Sequence, residues 1–123
     1  MEPNTFAWNE LITPDIQECG KFYEQLFGWT QKDMTGPLGT YIVFLKDGKQ
    51  VAGMMEPPED EDIPTGWYAY IAVEDVDRVA SRVSELGGTI LREPFDIPDV
   101  GRLCALADPS GAPVMIMTLV KKR

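Results

Sequence analysis

Residues 15–28 read DIQECGKFYEQLFG and residues 75–88 read DVDRVASRVSELGG. Slid along the chain by sixty positions, one falls on the other: Asp15 on Asp75, Leu26 on Leu86, Gly28 on Gly88. The apolar residues Ile16, Cys19, Tyr23 and Leu26 then match Val76, Val79, Val83 and Leu86, in steps of three, four and three. That spacing is one face of a helix, so the chain carries two copies of one unit. The predicted helices span residues 15–27 and 75–86. Asp15 suits the first cap, with Glu18 completing a capping box, and Asp75 suits the second, with Asp77 in its first turn. Gly28 and the pair Gly87, Gly88 supply residues that tolerate the left-handed conformation at helix ends.

Working outward, strand patterns surround each helix. FAWNELIT precedes the first; a short strand near Thr30 to Asp33 follows, then YIVFL and QVAGMM joined at Lys46, Asp47 and Gly48. Asp-Gly favours a tight primed hairpin turn. The second unit repeats the order with WYAYIAV, TILREPFDI, GRLCALA and PVMIMTLV, the last two joined by the turn Asp108-Pro109-Ser110-Gly111. The predicted organisation is one α+β domain made of two βαβββ modules, about 6–55 and 67–120. An acidic segment, 56–66, joins them. It holds Glu56, Glu59, Asp60, Glu61 and Asp62 and reads as a solvated, self-repelling linker.

The composition narrows the function. Eleven basic against twenty acidic residues give a formal charge of -9 at pH 7, which repels nucleic acid and anionic membranes. No apolar run reaches the roughly 18 residues of a membrane span, and MEPNTFAWNE lacks the basic start and apolar stretch of a secretory signal. The expectation is a cytoplasmic protein. Its two cysteines, Cys19 and Cys104, read as packed, reduced thiols.

WNELITPD followed by KFYEQLFGW, with DPSGAP before the last strand, resembles the vicinal oxygen chelate superfamily over roughly residues 6 to 119. Its members include glyoxalase I, extradiol dioxygenases, and fosfomycin and bleomycin resistance proteins. The resemblance implies a cupped mixed sheet with helices packed outside, a ligand in the cup, and pairing as a homodimer. It also implies metal ligands, usually His, Glu or Gln, at the start of the first strand and on the last strand of each unit. Those places fall on Trp8 and Tyr68 and on Met55 and Met115, so the sequence departs from the metal pattern at all four. There is no histidine in the chain, and indole, phenol and thioether are poor partners for hard divalent ions. No metal and no other cofactor is expected.

Strand alternation sends residues two apart to one face. With Asn9, Leu11 and Thr13 turned toward the helix, Trp8 and Glu10 line the cup; Tyr68 and Tyr70 match them, and Met55, Met115 and Met117 come from the last strands. The predicted ligand-binding set is thus Trp8, Glu10, Met55, Tyr68, Tyr70, Met115 and Met117. Rings and adaptable thioethers suit a small, flat, partly aromatic or cationic ligand. The bland alternative is that these side chains fill the cup as core.

Glu10 is the candidate catalytic residue. It can be a solvated rim residue, a carboxylate satisfied by Tyr70 or a backbone donor, or a general base with a pKa raised by burial. Arg102 beside Cys104 can activate a thiol, but no histidine is available as its base. Three functions stay open: a metal-free small-molecule binding protein of the resistance type, a lyase, isomerase or dioxygenase-like enzyme using Glu10 or an atypical metal site, and a noncatalytic module.

Overall fold

The computed structural model describes residues 2–36, 39–59, 63–97 and 101–119. Their elements run β1 (Thr5–Ile12), α1 (Ile16–Phe27), β2 (Thr30–Asp33), β3 (Tyr41–Lys46) and β4 (Lys49–Met55), then β5 (Gly66–Ala72), α2 (Val76–Ala80), a 3-10 turn (Ser84–Leu86), β6 (Thr89–Ile97), β7 (Gly101–Ala107) and β8 (Pro113–Leu119). The order strand, helix, three strands occurs twice, the α+β pattern that the repeat predicts. The chain forms two compact units, Trp8–Tyr68, and Met1–Ala7 with Ala69–Arg123. Of the acidic segment, Asp60, Glu61 and Asp62 lie outside the described residues.

In the first unit the strands lie in the order β2-β3-β4-β1. Strand β1 runs parallel to β4, with Glu10 opposite Gly53 and Ile12 opposite Met55, and the other pairs are antiparallel. Alternation sends Leu11, Ile42, Phe44, Ala52 and Met54 to one face, where Ile16, Cys19 and Tyr23 of α1 cover them. Phe44 and Met54 are fully buried. The β3–β4 hairpin turns through Asp47 at φ 51° and Gly48 at φ 78°, both left-handed as a primed turn requires.

The second unit repeats the order as β5-β8-β7-β6, with β5 parallel to β8, Tyr70 opposite Met115 and Ala72 opposite Met117. Its core joins Val73, Val76, Cys104 and Ile116, flanked by Ile71, Val79 and Leu106. At the β7–β8 turn, Asp108 Oδ1 accepts from Ser110 N at 2.8 Å, Ser110 Oγ at 2.6 Å and Ala112 N at 3.1 Å. These bonds, Ser110 Oγ foremost, hold the Asp108 carboxyl below its ordinary range.

Four expectations are corrected. The second helix is five residues long rather than a continuous run to 86, because after Ser81 the backbone bonds tighten from i-4 to i-3, as Arg82 N to the Val79 carbonyl and Val83 N to the Ala80 carbonyl show. Asp75 caps α2 by accepting from Arg78 N, but Asp15 makes no side-chain cap bond; Thr13 Oγ1 accepts from Asp15 N instead, at 3.1 Å. Gly28 and Gly87 are left-handed caps, whereas Gly88 is needed for space: a Cβ there would lie 2.7 Å from the Ala107 carbonyl oxygen. Finally, the strand register shows that the repeat offset is sixty at β1 and β5 but sixty-two at β4 and β8, and already sixty-two at β3 and β7, where Val43 faces Gly53 as Ala105 faces Met115. The counterpart of Met115 is therefore Gly53, and that of Met55 is Met117.

Candidate functional site

On the face of the first unit's sheet that points away from α1, Trp8 and Glu10 of β1 meet Tyr41 of β3. Trp8 Nε1–H donates to the Tyr41 hydroxyl at 3.1 Å, and that hydroxyl donates to Glu10 Oε2 at 2.9 Å. The donors point one way and end on the carboxylate. Glu10 is only 5% exposed, and a buried carboxylate needs such donors to offset its lost hydration. Tyr41 in turn is held protonated: burial first, then the Glu10 charge and hydrogen bond, push its hydroxyl above the ordinary tyrosine value, with Trp8 pulling weakly the other way.

Gly53 makes the arrangement possible. It faces Glu10 on one side and Val43 on the other. A Cβ at Gly53 would overlap the Tyr41 hydroxyl and stand 3.0 Å from Trp8 Nε1. Sequence reading missed Tyr41, which the sixty-residue offset aligns with a glycine, Gly101. The signal that could have found it is Gly53 itself, a glycine inside an otherwise good strand that marks a close approach.

The remaining predicted residues are placed as follows. Met55 ends β4, half-buried, opposite Tyr41. The Tyr68 hydroxyl donates to the Pro64 carbonyl at 2.6 Å, and burial raises its pKa. These belong to the first unit with Trp8 and Glu10. In the second unit Tyr70, Met115 and Met117 share the sheet face away from α2, Tyr70 and Met117 being buried and Met115 half-buried. Within the first unit, then, a hydrogen-bond chain joins Trp8 to Glu10; in the second, register joins Tyr70 to Met115.

The places where the resemblance implies metal ligands hold side chains that are poor partners for a hard divalent ion. The indole of Trp8 points its N–H at Tyr41 and has no lone pair to offer, Gly53 has no side chain, and the methionines carry thioethers. Among the described residues no three His, Cys, Asp or Glu side chains gather as a metal set would. Cys104 is also a poor nucleophile: it is fully buried, its thiol donates to the Arg92 carbonyl at 3.2 Å, and burial with the charges of Glu93 and Asp77 raises its pKa. The Arg102 guanidinium is already engaged by Asp77 at 2.7 Å and Asp96 at 3.2 Å.

Residues 5–116 match the family described as Glyoxalase/Bleomycin resistance protein/Dioxygenase superfamily. The chain is 41% identical over 112 residues to "Putative glyoxylase CFP32" of Mycobacterium bovis, covering 90% of this chain and 42% of that protein. It is 36% identical over 124 residues to "Anthracycline biosynthesis protein DauV" of a Streptomyces species, covering 89% and 45%. The chain thus spans less than half the length of these relatives. Among solved structures it is similar to a hypothetical protein of Bacillus halodurans, with a TM-score of 0.73, 13% identity and 99% of each chain covered. It is also similar to a methylmalonyl-CoA epimerase of Streptomyces coelicolor, with a TM-score of 0.69, 16% identity, and 98% and 100% covered. At these identities the structural likeness speaks for the fold. No described helix is long and apolar enough to cross a membrane.

Proposed function

Because the chain belongs to the glyoxalase, bleomycin resistance protein and dioxygenase superfamily, we propose that it is a metal-free member that binds a small, flat, partly aromatic molecule carrying a cation or N–H donor. The carrying observation is the one-way hydrogen-bond chain from Trp8 through Tyr41 to Glu10. It sets a negative charge two residues from an indole on one strand face, which suits a cation that can also stack. The net charge of -9 attracts such a ligand at long range. Two relatives bear the name anthracycline biosynthesis protein, in keeping with a flat aromatic ligand.

Calorimetric titration with 9-aminoacridine, a planar cation, tests this reading. Binding should weaken about tenfold in Glu10→Gln and in Trp8→Ala, a change of about 1.4 kcal/mol. Absence of binding, or equal binding by all three proteins, would sink it.

One observation favours a second reading. A buried carboxylate oriented by a tyrosine hydroxyl is also the arrangement of a general base. Metal-independent turnover that disappears in Glu10→Gln while ligand binding persists would replace the binding reading with the enzymatic one.

A further inference from the structure

The second unit carries a cleft of about 740 Å³ on the helix side of its sheet, the side opposite Tyr70 and Met115. The internal repeat explains why it is there. Gly28 and Gly87 are the left-handed caps of the two helical segments, so Trp29 corresponds to Gly88. Tyr23 corresponds to Val83 on the apolar helix face. Val43 faces Gly53 and Ala105 faces Met115, so Phe44 corresponds to Leu106. In the first unit Tyr23, Trp29 and Phe44 pack together, with ring centroids 5.2 to 5.8 Å apart. In the second, Val83, Gly88 and Leu106 line the cleft. Where the first unit has a cluster of rings, the second has these three small or aliphatic residues beside a cleft.

The charges at its rim are unequal in what they have left to give. Arg82 is paired with Glu85 at 3.1 Å, Asp75 accepts from Arg78 N, and Asp108 is occupied by its own turn. The Arg78 guanidinium has no ion-pair partner among the described residues. Glu74 and Arg78 both stand at the solvent-exposed rim, where water and salt screen them, with Arg78 one helical turn further along the cleft.

We infer that this cleft is a second small-molecule site, distinct from the Trp8–Tyr41–Glu10 face, and that it takes an aromatic ring bearing a carboxylate. The ring lies along Val83, Leu106 and Ile116 in the cleft, and the acid pairs with Arg78. Burial of a flat apolar ring supplies the affinity, and a guanidinium matches a carboxylate in shape and charge.

Indole-3-acetate, titrated against the full chain while the methyl NMR signals of Val79, Val83, Leu106 and Ile116 are followed, is the test. Those signals should shift saturably. Arg78→Gln, a surface change, should weaken binding about tenfold, and Leu106→Phe, which restores the first unit's ring, should abolish it. Tryptamine, the same ring with a cation, should bind more weakly. The inference is overturned if those methyls do not move, if Arg78→Gln binds as the parent does, or if tryptamine binds more tightly. Loss of indole-3-acetate binding in Glu10→Gln would assign the ligand to the other face and equally overturn it.

Discussion

Beneath α1, Tyr23 meets the rings of Phe22, Phe27, Trp29, Phe44 and Trp67, and Trp67 Nε1–H donates to the Tyr23 hydroxyl at 3.0 Å. Beside α2 the matching positions hold Val83, Gly88 and Leu106, and a cleft remains. The two units share strand order, so the difference lies in side-chain volume and in the shorter second helix and not in sheet topology. In one unit aromatic rings pack between helix and strands, and in the other a cleft remains there. Duplicated units thus keep the backbone hydrogen bonding that defines them while their cores diverge, because ladder pairing depends on the main chain and filling depends on side chains.

The strongest test of that contrast is truncation at matched positions. Phe44→Ala removes a fully buried ring and should cost about 3–5 kcal/mol of unfolding free energy, whereas Leu106→Ala, beside an existing cleft, should cost about 2 kcal/mol, at the low end of leucine truncations. Urea denaturation of both variants measures the gap; equal losses would mean that the cleft closes in solution.

On the opposite face, Tyr41→Phe keeps the ring but strips the hydroxyl from both Trp8 and Glu10. Leaving a buried carboxylate short of a donor should cost about 1–3 kcal/mol, visible as a lower denaturation midpoint. A variant as stable as the parent would show that Tyr41 is not what holds Glu10.

Trp67→Phe should cost less, about 0.5–1.5 kcal/mol for a partly exposed hydrogen bond, and should change the tryptophan fluorescence of the first unit. No stability change would limit the aromatic cluster to the rings beneath Trp67.

The smallest effect is on pH dependence in the second unit. Asp77 is held below its ordinary carboxyl range by its hydrogen bond to Arg102. Its contribution is therefore complete above about pH 4, the unperturbed aspartate value, and fades as pH falls toward the lowered folded-state value. Urea midpoints measured from pH 5 downward should fall less steeply in Asp77→Asn than in the parent. Parallel curves would show that the ion pair is fully screened in solution.

The candidate site was half legible in the sequence. Alternation along FAWNELIT was sufficient to put Trp8 and Glu10 on one face, because side-chain direction in a strand is a local property. Tyr41 was not legible: it lies thirty-one positions from Glu10 and reaches it only through the pairing of β3 with β4 and β4 with β1. The offset of sixty located the helix starts and first strands but failed from the third strand of each unit onward, where the register has moved by two residues and makes Gly53 the counterpart of Met115. A run of helical spacing likewise suggested one helix over 75–86, while the backbone tightens to i-3 bonding after Ser81 and ends it early.

By itself the sequence determined the two βαβββ units, the faces of their strands and the family, since all three rest on periodicities and short motifs written along the chain. Only the tertiary structure decided that Tyr41 joins Trp8 to Glu10 over Gly53, and that one helix side is filled with rings while the other is open. Those outcomes depend on cross-strand register and on the sum of volumes meeting in space, which no local pattern carries.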